Sequence, residues 1–254
     1  GEGLKQDTIE AVKWWRMAAE QGVLLAQFNL GVCYENGNGV EKNKVEAVKW
    51  FQQAANQGHS VSQAILGLLF QNGDVVPQEI VEAVNWFHYA AHQGYSTAQN
   101  NLALCYSNGD GVEQNKEEAI KWWMMAAQQG EILAENAVAV CYKKGDGVPQ
   151  DTTLSAQWFH QAAEQGNAEA QFNFGWHLFN GEGVEQDKKE GLKWYRKAAE
   201  QGDPDAQCTL GLCYKTGDGG VEEDAHEAAK WFRCSADQGH SEAQYNMGWC
   251  YNNG

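Results

Sequence analysis

The sequence predicts an all-α fold, an α/α superhelical solenoid of seven stacked αα-hairpins. Two observations predict it. Trp14, Trp50, Trp86, Trp122, Trp158 and Trp194 recur at a spacing of 36 residues, and Trp231 follows after 37. Each Trp also sits in the same kind of stretch, written EAVKWFQQAANQG at Glu46–Gly58. A fixed period in this range marks units that cannot bury their apolar face alone and do so against their neighbours. The extra residue before Trp231 falls in a loop, where Gly217-Asp218-Gly219-Gly220 carries one more Gly than its counterparts. The chain reads as a single array, 1–254, with repeats at about 4–39, 40–75, 76–111, 112–147, 148–183, 184–220 and 221–254.

Each repeat opens on a residue that can cap a helix: Asp7, Asn43, Asn115, Asp151, Asp187 and Asp224, with Glu79 the exception. Three residues on stands Glu10, Glu46, Glu82, Glu118, Glu190 or Glu227, which predicts a capping box that Leu154 breaks in the fifth repeat. The first helix then runs to Gln21-Gly22 and its copies, where Gly supplies a left-handed residue just past the end. At ~100° per residue, Ala11, Val12, Trp14, Trp15, Ala18 and Ala19 share one broad face, opposite Glu10, Lys13, Arg16, Met17 and Glu20. The second helix covers Ala26 to about Asn36, with Ala26, Leu30, Cys33 and Tyr34 on one face. Gly31 and its copies Gly67, Gly175, Gly211 and Gly248 offer a point of close helix approach. Asn29, Asn101, Asn173 and Asn246 read as buried amides that satisfy loop backbone. Gly37-Asn38-Gly39 follows a helix and lacks a Gly-Lys-Ser/Thr, so it is turn chemistry and not a phosphate loop.

A net charge of −16 and a pI near 4.8 argue against non-specific binding to nucleic acid or to anionic membranes. No run approaches the ~18 apolar residues of a membrane span, so no direct membrane insertion is expected. Cys33, Cys105, Cys141, Cys213 and Cys250 share one repeat phase and read as small buried apolar residues. Cys208 and Cys234 break the phase and leave a pairing across the sixth and seventh repeats open. Seven unpaired thiols favour a reducing cytoplasm. The chain opens at Gly1-Glu2-Gly3-Leu4 in the phase of Gly37–Val40 and closes at Gly254 in that same phase, as a segment of a longer protein would.

The pattern A-x-x-W-[FWY]-x-x-A-A-x-Q-G, then A-Q-x-x-L-G-x-x-Y and G-x-G-V, resembles the Sel1-like repeat, a relative of the tetratricopeptide repeat. The resemblance covers the whole chain and implies a non-enzymatic adaptor that binds a protein or peptide in its concave groove. The fifth repeat departs most: Leu154-Ser155 stands where others have Glu-Ala, and His177-Leu178 where others have Cys-Tyr. Some cysteine-rich relatives are described as lactam-binding, and Lys215-Thr216-Gly217 spells one lactamase motif. No Ser-x-x-Lys or Ser-Asp-Asn accompanies it, so a lactamase-like enzyme is disfavoured. His88 and His92 lie one helical turn apart, a spacing that can chelate a metal, but no third ligand is near in sequence; neither a metal nor another cofactor is expected.

The exposed stripe of the first helices carries the functional expectation. It is charged at the outer repeats, through Lys13, Arg16 and Glu20, then Lys193, Arg196, Lys197 and Glu200, then Lys230 and Arg233. In the middle it loses charge and gains Asn85, His88, Tyr89 and His92, then Met124, Met125 and Gln128 beside Lys121, then His160. A helix that needs only to be solvated does not favour exposed Tyr and Met, whereas a binding surface does. These nine residues are the expected partner-binding set, with an acidic or amphipathic peptide as the expected ligand. End-to-end self-association through uncapped terminal repeats is the rival reading.

Overall fold

The computed structural model describes residues 7–253, with the side chain of residue 253 left out. The loop phases expected at Gly1–Leu4 and at Gly254 lie outside the described residues. The chain forms two compact units, 1–129 and 130–254. The first holds α1 (Thr8–Glu20), α2 (Leu24–Asn36), α3 (Lys44–Asn56), α4 (Ser60–Asn72), α5 (Ile80–His92), α6 (Ser96–Asn108) and α7 (Lys116–Ala127). The second holds α8 (Ile132–Lys144), α9 (Thr152–Glu164), α10 (Ala168–Asn180), α11 (Lys188–Glu200), α12 (Pro204–Thr216), α13 (Ala225–Asp237) and α14 (Ser241–Asn253). The described residues contain no strand, and the extra loop residue is taken up in a 3-10 turn at Asp218–Gly220.

The helix starts follow the expected chemistry in part. Asp7, Asn43, Asn115, Asp151, Asp187 and Asp224 each accept a hydrogen bond from the backbone N–H three residues on, at 2.9–3.1 Å. Glu79 makes no such bond. The returning half of the capping box is absent from these helices. Glu10, Glu46, Glu118, Glu190 and Glu227 turn forward to Lys13, Lys49, Lys121, Lys193 and Lys230, at 2.5–3.1 Å. The reason lies in the preceding hairpin. The N–H of Asn43 already donates to the carbonyl of Tyr34, that of Asn115 to Tyr106, and that of Asp224 to Tyr214. With the cap N–H satisfied, the carboxylate is released to an exposed i,i+3 pair of small energetic weight.

The tightest packing is between the second helix of one hairpin and the first of the next, as with α2 on α3 and α10 on α11. A socket and a plug build each of these layers. Gly31 lies against the Phe51 ring so closely that a Cβ would come within 2.6 Å of it. Gly175 meets Tyr195 and Gly211 meets Phe232 in the same way, at 2.9 and 2.7 Å, and Gly67 meets Phe87. Phe51, Phe87, Tyr195 and Phe232 are accordingly buried. The repeat Trp reaches into the core of the hairpin before it. Trp50 packs with Val12, Leu30, Cys33 and Tyr34, and Trp231 with their equivalents Leu192, Leu210, Cys213 and Tyr214.

The amide expected at Asn29 and its copies sits two residues earlier. Gln27, Gln63, Gln99, Gln171 and Gln207 are buried, and each Nε2 donates to the Ala carbonyl eight residues back, at 3.1–3.2 Å. Their Oε1 atoms accept from Gln57, Gln93, Gln129, Gln201 and Gln238 of the following first helix, at 2.6–2.9 Å. Asn246 is buried as expected, but it and Asn173 bond carbonyls of their own helices, Glu242 and Glu169, and not loop backbone. In the fourth repeat the rung is Glu135 with Gln165, 2.7 Å apart, and burial raises the Glu135 pKa.

The departures of the fifth repeat compensate each other. Ser155 and His177 are both fully buried, with Ser155 Oγ 3.3 Å from His177 Nε2 and 3.0 Å from the Ala139 carbonyl oxygen. His177 Nδ1 lies 2.7 Å from the Glu182 carbonyl oxygen, so it carries the proton, and the single Ser155 hydroxyl proton lies between the Ala139 carbonyl, its nearer acceptor, and the unprotonated Nε2. Cys208 and Cys234 are free thiols, the first buried and the second exposed.

Candidate functional site

In the first unit, α5 places Asn85, His88, Tyr89 and His92 around one shallow cleft of about 420 Å³, with Gln63 and Gln93 completing its wall. Tyr89 is 60% exposed and stands edge-on to Trp86, its ring 5.8 Å away. The His88 and His92 rings stack at 4.9 Å, and both abut the buried Trp122 of α7 edgewise, at 5.9 and 5.1 Å. They are thus part of an aromatic wall, His88 half-buried and His92 exposed.

His88 also has a defined partner. Its Nε2 lies 3.2 Å from the Tyr106 hydroxyl. Arg16 donates to the Tyr34 hydroxyl from the equivalent position at 2.6 Å, and Arg196 does so to Tyr214. The middle repeat has replaced a cation by an imidazole at a conserved-in-geometry contact within this chain. Burial and the neighbouring His92 hold the His88 pKa below its ordinary value, against a smaller upward pull from Glu118. No group of three or more His, Cys, Asp or Glu among the described residues is placed to hold a metal.

The remaining expected residues divide between the two units. Lys121, Met124, Met125 and Gln128 lie on or at the end of α7, the helix whose Trp122 touches both imidazoles. Met125 is 45% exposed, Met124 half-buried, and Lys121 is paired with Glu118 at 3.0 Å. His160 belongs to α9 in the second unit, where it stacks on Phe174 at 4.5 Å and lies 3.3 Å from Glu164. Sequence reasoning missed Gln63 and Gln93 as parts of the cleft, and Trp122 as the ring that both imidazoles abut. The signal for those two glutamines was present in the repeat, as Ser62-Gln63 at the phase of Ala-Gln and as Gln93-Gly94, and their amides pair at 2.7 Å beside the cleft.

Elsewhere, Lys215-Thr216-Gly217 has a structural explanation. Lys215 lies over the Trp249 ring at 3.9 Å, and the Thr216 hydroxyl donates to the Leu212 carbonyl of its own helix.

The family model for the Sel1 repeat matches eight segments: 1–23, 24–59, 60–95, 96–131, 132–167, 168–203, 204–240 and 241–254. The chain belongs to the Sel1-repeat family. The matched units begin at the second helix of a hairpin, so the short first and last matches are parts of hairpins and the fourteen helices make seven. The Sel1 phase joins helices such as α2 and α3, which pack most tightly.

Two examples serve among the solved structures that are similar to this Sel1-repeat chain. One is a protective antigen present in uropathogenic Escherichia coli strains, displaying an SLR fold, with a TM-score of 0.91 and 42% identity over 99% of this chain. The chain spans 54% of that protein's length. The other is a Sel1 repeat protein from Oxalobacter formigenes, with a TM-score of 0.76 and 29% identity, covering 91% of this chain and 97% of that one. No curated protein matches the chain. Sel1-repeat proteins are generally non-catalytic scaffolds for protein interaction. No helix among the described residues is long and apolar enough to cross a membrane.

Proposed function

We propose that this Sel1-repeat chain is a non-enzymatic adaptor, a single array that takes a peptide or protein partner on its first-helix face, centred on the α5 cleft. The observation that carries the reading is the cleft itself. An exposed Tyr89 and two stacked imidazoles stand over a buried Trp, rimmed by the neutral amides of Asn85, Gln63 and Gln93. A rigid aromatic anchor with convergent hydrogen-bonding groups is what a binding hot spot uses. Met124 and Met125 on α7 supply adaptable apolar contact, and Lys121 with Gln128 a polar rim. His160 lies on α9 of the second unit, against Phe174, and is proposed there as a contact of its own. The charge-poor middle favours an amphipathic or acidic peptide whose apolar side chains meet Tyr89 and Met125.

The test is photo-crosslinking from positions 89 and 125, with position 13 as the control, in extract from the source organism. The captured protein is then titrated by calorimetry. Tyr89→Ala with Met125→Ala should weaken binding by at least about 2 kcal/mol. Arg16→Ala with Arg233→Ala should change mainly the salt dependence. Full affinity in the central double variant would place the partner elsewhere.

A further inference from the structure

One helical turn separates His88 from His92 on α5, and the same two positions recur in every repeat. The pairs are Arg16 with Glu20, Gln52 with Asn56, Met124 with Gln128, His160 with Glu164, Arg196 with Glu200 and Arg233 with Asp237. In each of these six the second member accepts hydrogen bonds, and in four it is a carboxylate one turn from a basic side chain. Two of the pairs are in contact: Gln52 donates to Asn56 at 3.0 Å, and His160 Nε2 lies 3.3 Å from a Glu164 carboxylate oxygen. The third repeat alone places a second basic group there. His92 stands where the others keep an acceptor, and the two imidazoles stack at 4.9 Å.

The neighbouring helices face the pair with groups of other kinds. α4 brings the Gln63 amide, α6 the Tyr106 hydroxyl at 3.2 Å from His88 Nε2, and α7 the Trp122 ring edgewise. Burial and Glu118 raise the Tyr106 pKa, so its hydroxyl stays neutral. The Glu118 carboxylate of α7 is itself committed to Lys121 at 3.0 Å, and it pulls the His88 pKa up less than burial and His92 pull it down. His88 is half-buried and His92 exposed on the open cleft, so an anion reaches them from solvent.

We infer that the stacked His88–His92 pair is a carboxylate subsite: an acidic side chain of the partner peptide takes the place there that Glu164 holds beside His160, and a proton is taken up as it binds. The inference rests on the α5 cleft being the peptide site, and adds to it the position of the acid and the sign of its pH dependence. A carboxylate is the class because four repeats of this chain put one at that step. The net charge of −16 does not oppose it: at physiological salt the Debye length is ~8 Å, so adjacent imidazoles outweigh carboxylates spread along the chain. An adjacent anion favours the imidazolium, so His88 holds its proton to higher pH with the anion bound than without it. Affinity therefore rises as pH falls from 8 to 6. Below about pH 4 the ligand carboxylate is itself protonated and the gain is lost.

Two peptides test the inference, acetyl-Leu-Glu-Leu-Glu-Leu-amide and its counterpart with Gln for Glu. Each is titrated into the 254-residue chain with isotope-labelled histidine rings and methionine methyls, at about 0.15 M salt. NMR reads the Met125 methyl, which reports occupancy of the groove, separately from the His88 and His92 imidazoles, which report the anion. At pH 6 the glutamate peptide should bind at least about tenfold tighter than the glutamine peptide. Its Kd should rise at least about tenfold by pH 8, as expected when binding takes up one proton. The glutamine peptide should perturb Met125 with little change over the same range. His92→Glu supplies the carboxylate from within and should abolish the preference for the glutamate peptide; circular dichroism checks that this exposed substitution leaves the helices intact. Peptides that bind alike at Met125 and without pH dependence would overturn the carboxylate subsite and leave the adaptor reading standing. Perturbation of neither Met125 nor the imidazoles by either peptide would overturn both. A glutamate preference that survives His92→Glu would put the acid elsewhere and overturn the inference as well.

Discussion

The Ser155–His177 pair illustrates how a polar substitution survives inside an apolar repeat. A hydroxyl where most other repeats have Ala would be a buried orphan, and so would an imidazole where most have Cys; together they share bonds with the Ala139 and Glu182 carbonyls. Burial is the largest cause holding the His177 pKa below its ordinary value of 6.5; Lys143 also lowers it, and the Glu182 carbonyl and carboxylate oppose. The unfolded chain therefore binds that proton more readily. The neutral histidine's contribution is complete above the unfolded value and is lost as pH falls through it toward the lower folded value. Melting temperature should drop between pH 7.5 and 5. Restoring the repeat pattern with Ser155→Ala and His177→Cys should make that drop shallower, as differential scanning calorimetry across pH would register. An unchanged slope would assign the effect to other groups, among them His59 and His88, whose values burial also lowers.

Between elements, the recurring glycine of the second helix is a contact position before it is anything else. Its value is the missing Cβ, which lets an aromatic ring lie on the helix backbone. The same substitution should then have opposite signs along one chain. Gly67→Ala forces the buried Phe87 ring away and should cost about 1–3 kcal/mol. In this 254-residue chain Gly248→Ala meets open space and should stabilise by up to about 1 kcal/mol through helix propensity. Urea denaturation of the two variants reads both signs. A destabilised Gly248→Ala variant would mean that this glycine is needed for its own helix. The shared Gln rung belongs to this scale too. It closes the first helix of one hairpin onto the second helix of the preceding one at 2.6–2.9 Å, and so explains why the Gln of Gln-Gly recurs with the Gly.

At the scale of the whole chain, coupling is expected to pass from one hairpin to the next. Trp194 is 7% exposed and packs with Phe159, Ala162, Ala163, Ala170 and Phe174 of the hairpin before it. Trp194→Ala should cost about 3–5 kcal/mol. The damage should centre on α9 to α12, since a linear array has no common core to spread it. Amide hydrogen exchange should show loss of protection there with α3 and α4 retaining theirs. Uniform loosening of all fourteen helices would contradict nearest-neighbour coupling.

The sequence by itself determined the fold class, the hairpin unit, the helix ends and the burial of Cys33, Cys105, Cys141 and Cys213, though not of Cys250, which is half-buried. These follow from a 36-residue period, from capping residues and from glycines, all of which act over a few residues and leave a mark in the string. It also marked the charge-poor stretch from Asn85 to Met125, because exposed Tyr and Met are visible as departures from the repeat. Tertiary structure decided the rest. The Glu of each capping box turns to Lys because the cap N–H is taken by a carbonyl of the preceding hairpin. The buried amide is Gln27 and not Asn29 because only the former faces the next first helix. His88 is tied to Tyr106, and both imidazoles lean on a Trp that comes a full repeat later. Periodicity reports which face of a helix is buried; which neighbour fills that face depends on the distance between helices, and that is set only when the side chains of two repeats interlock.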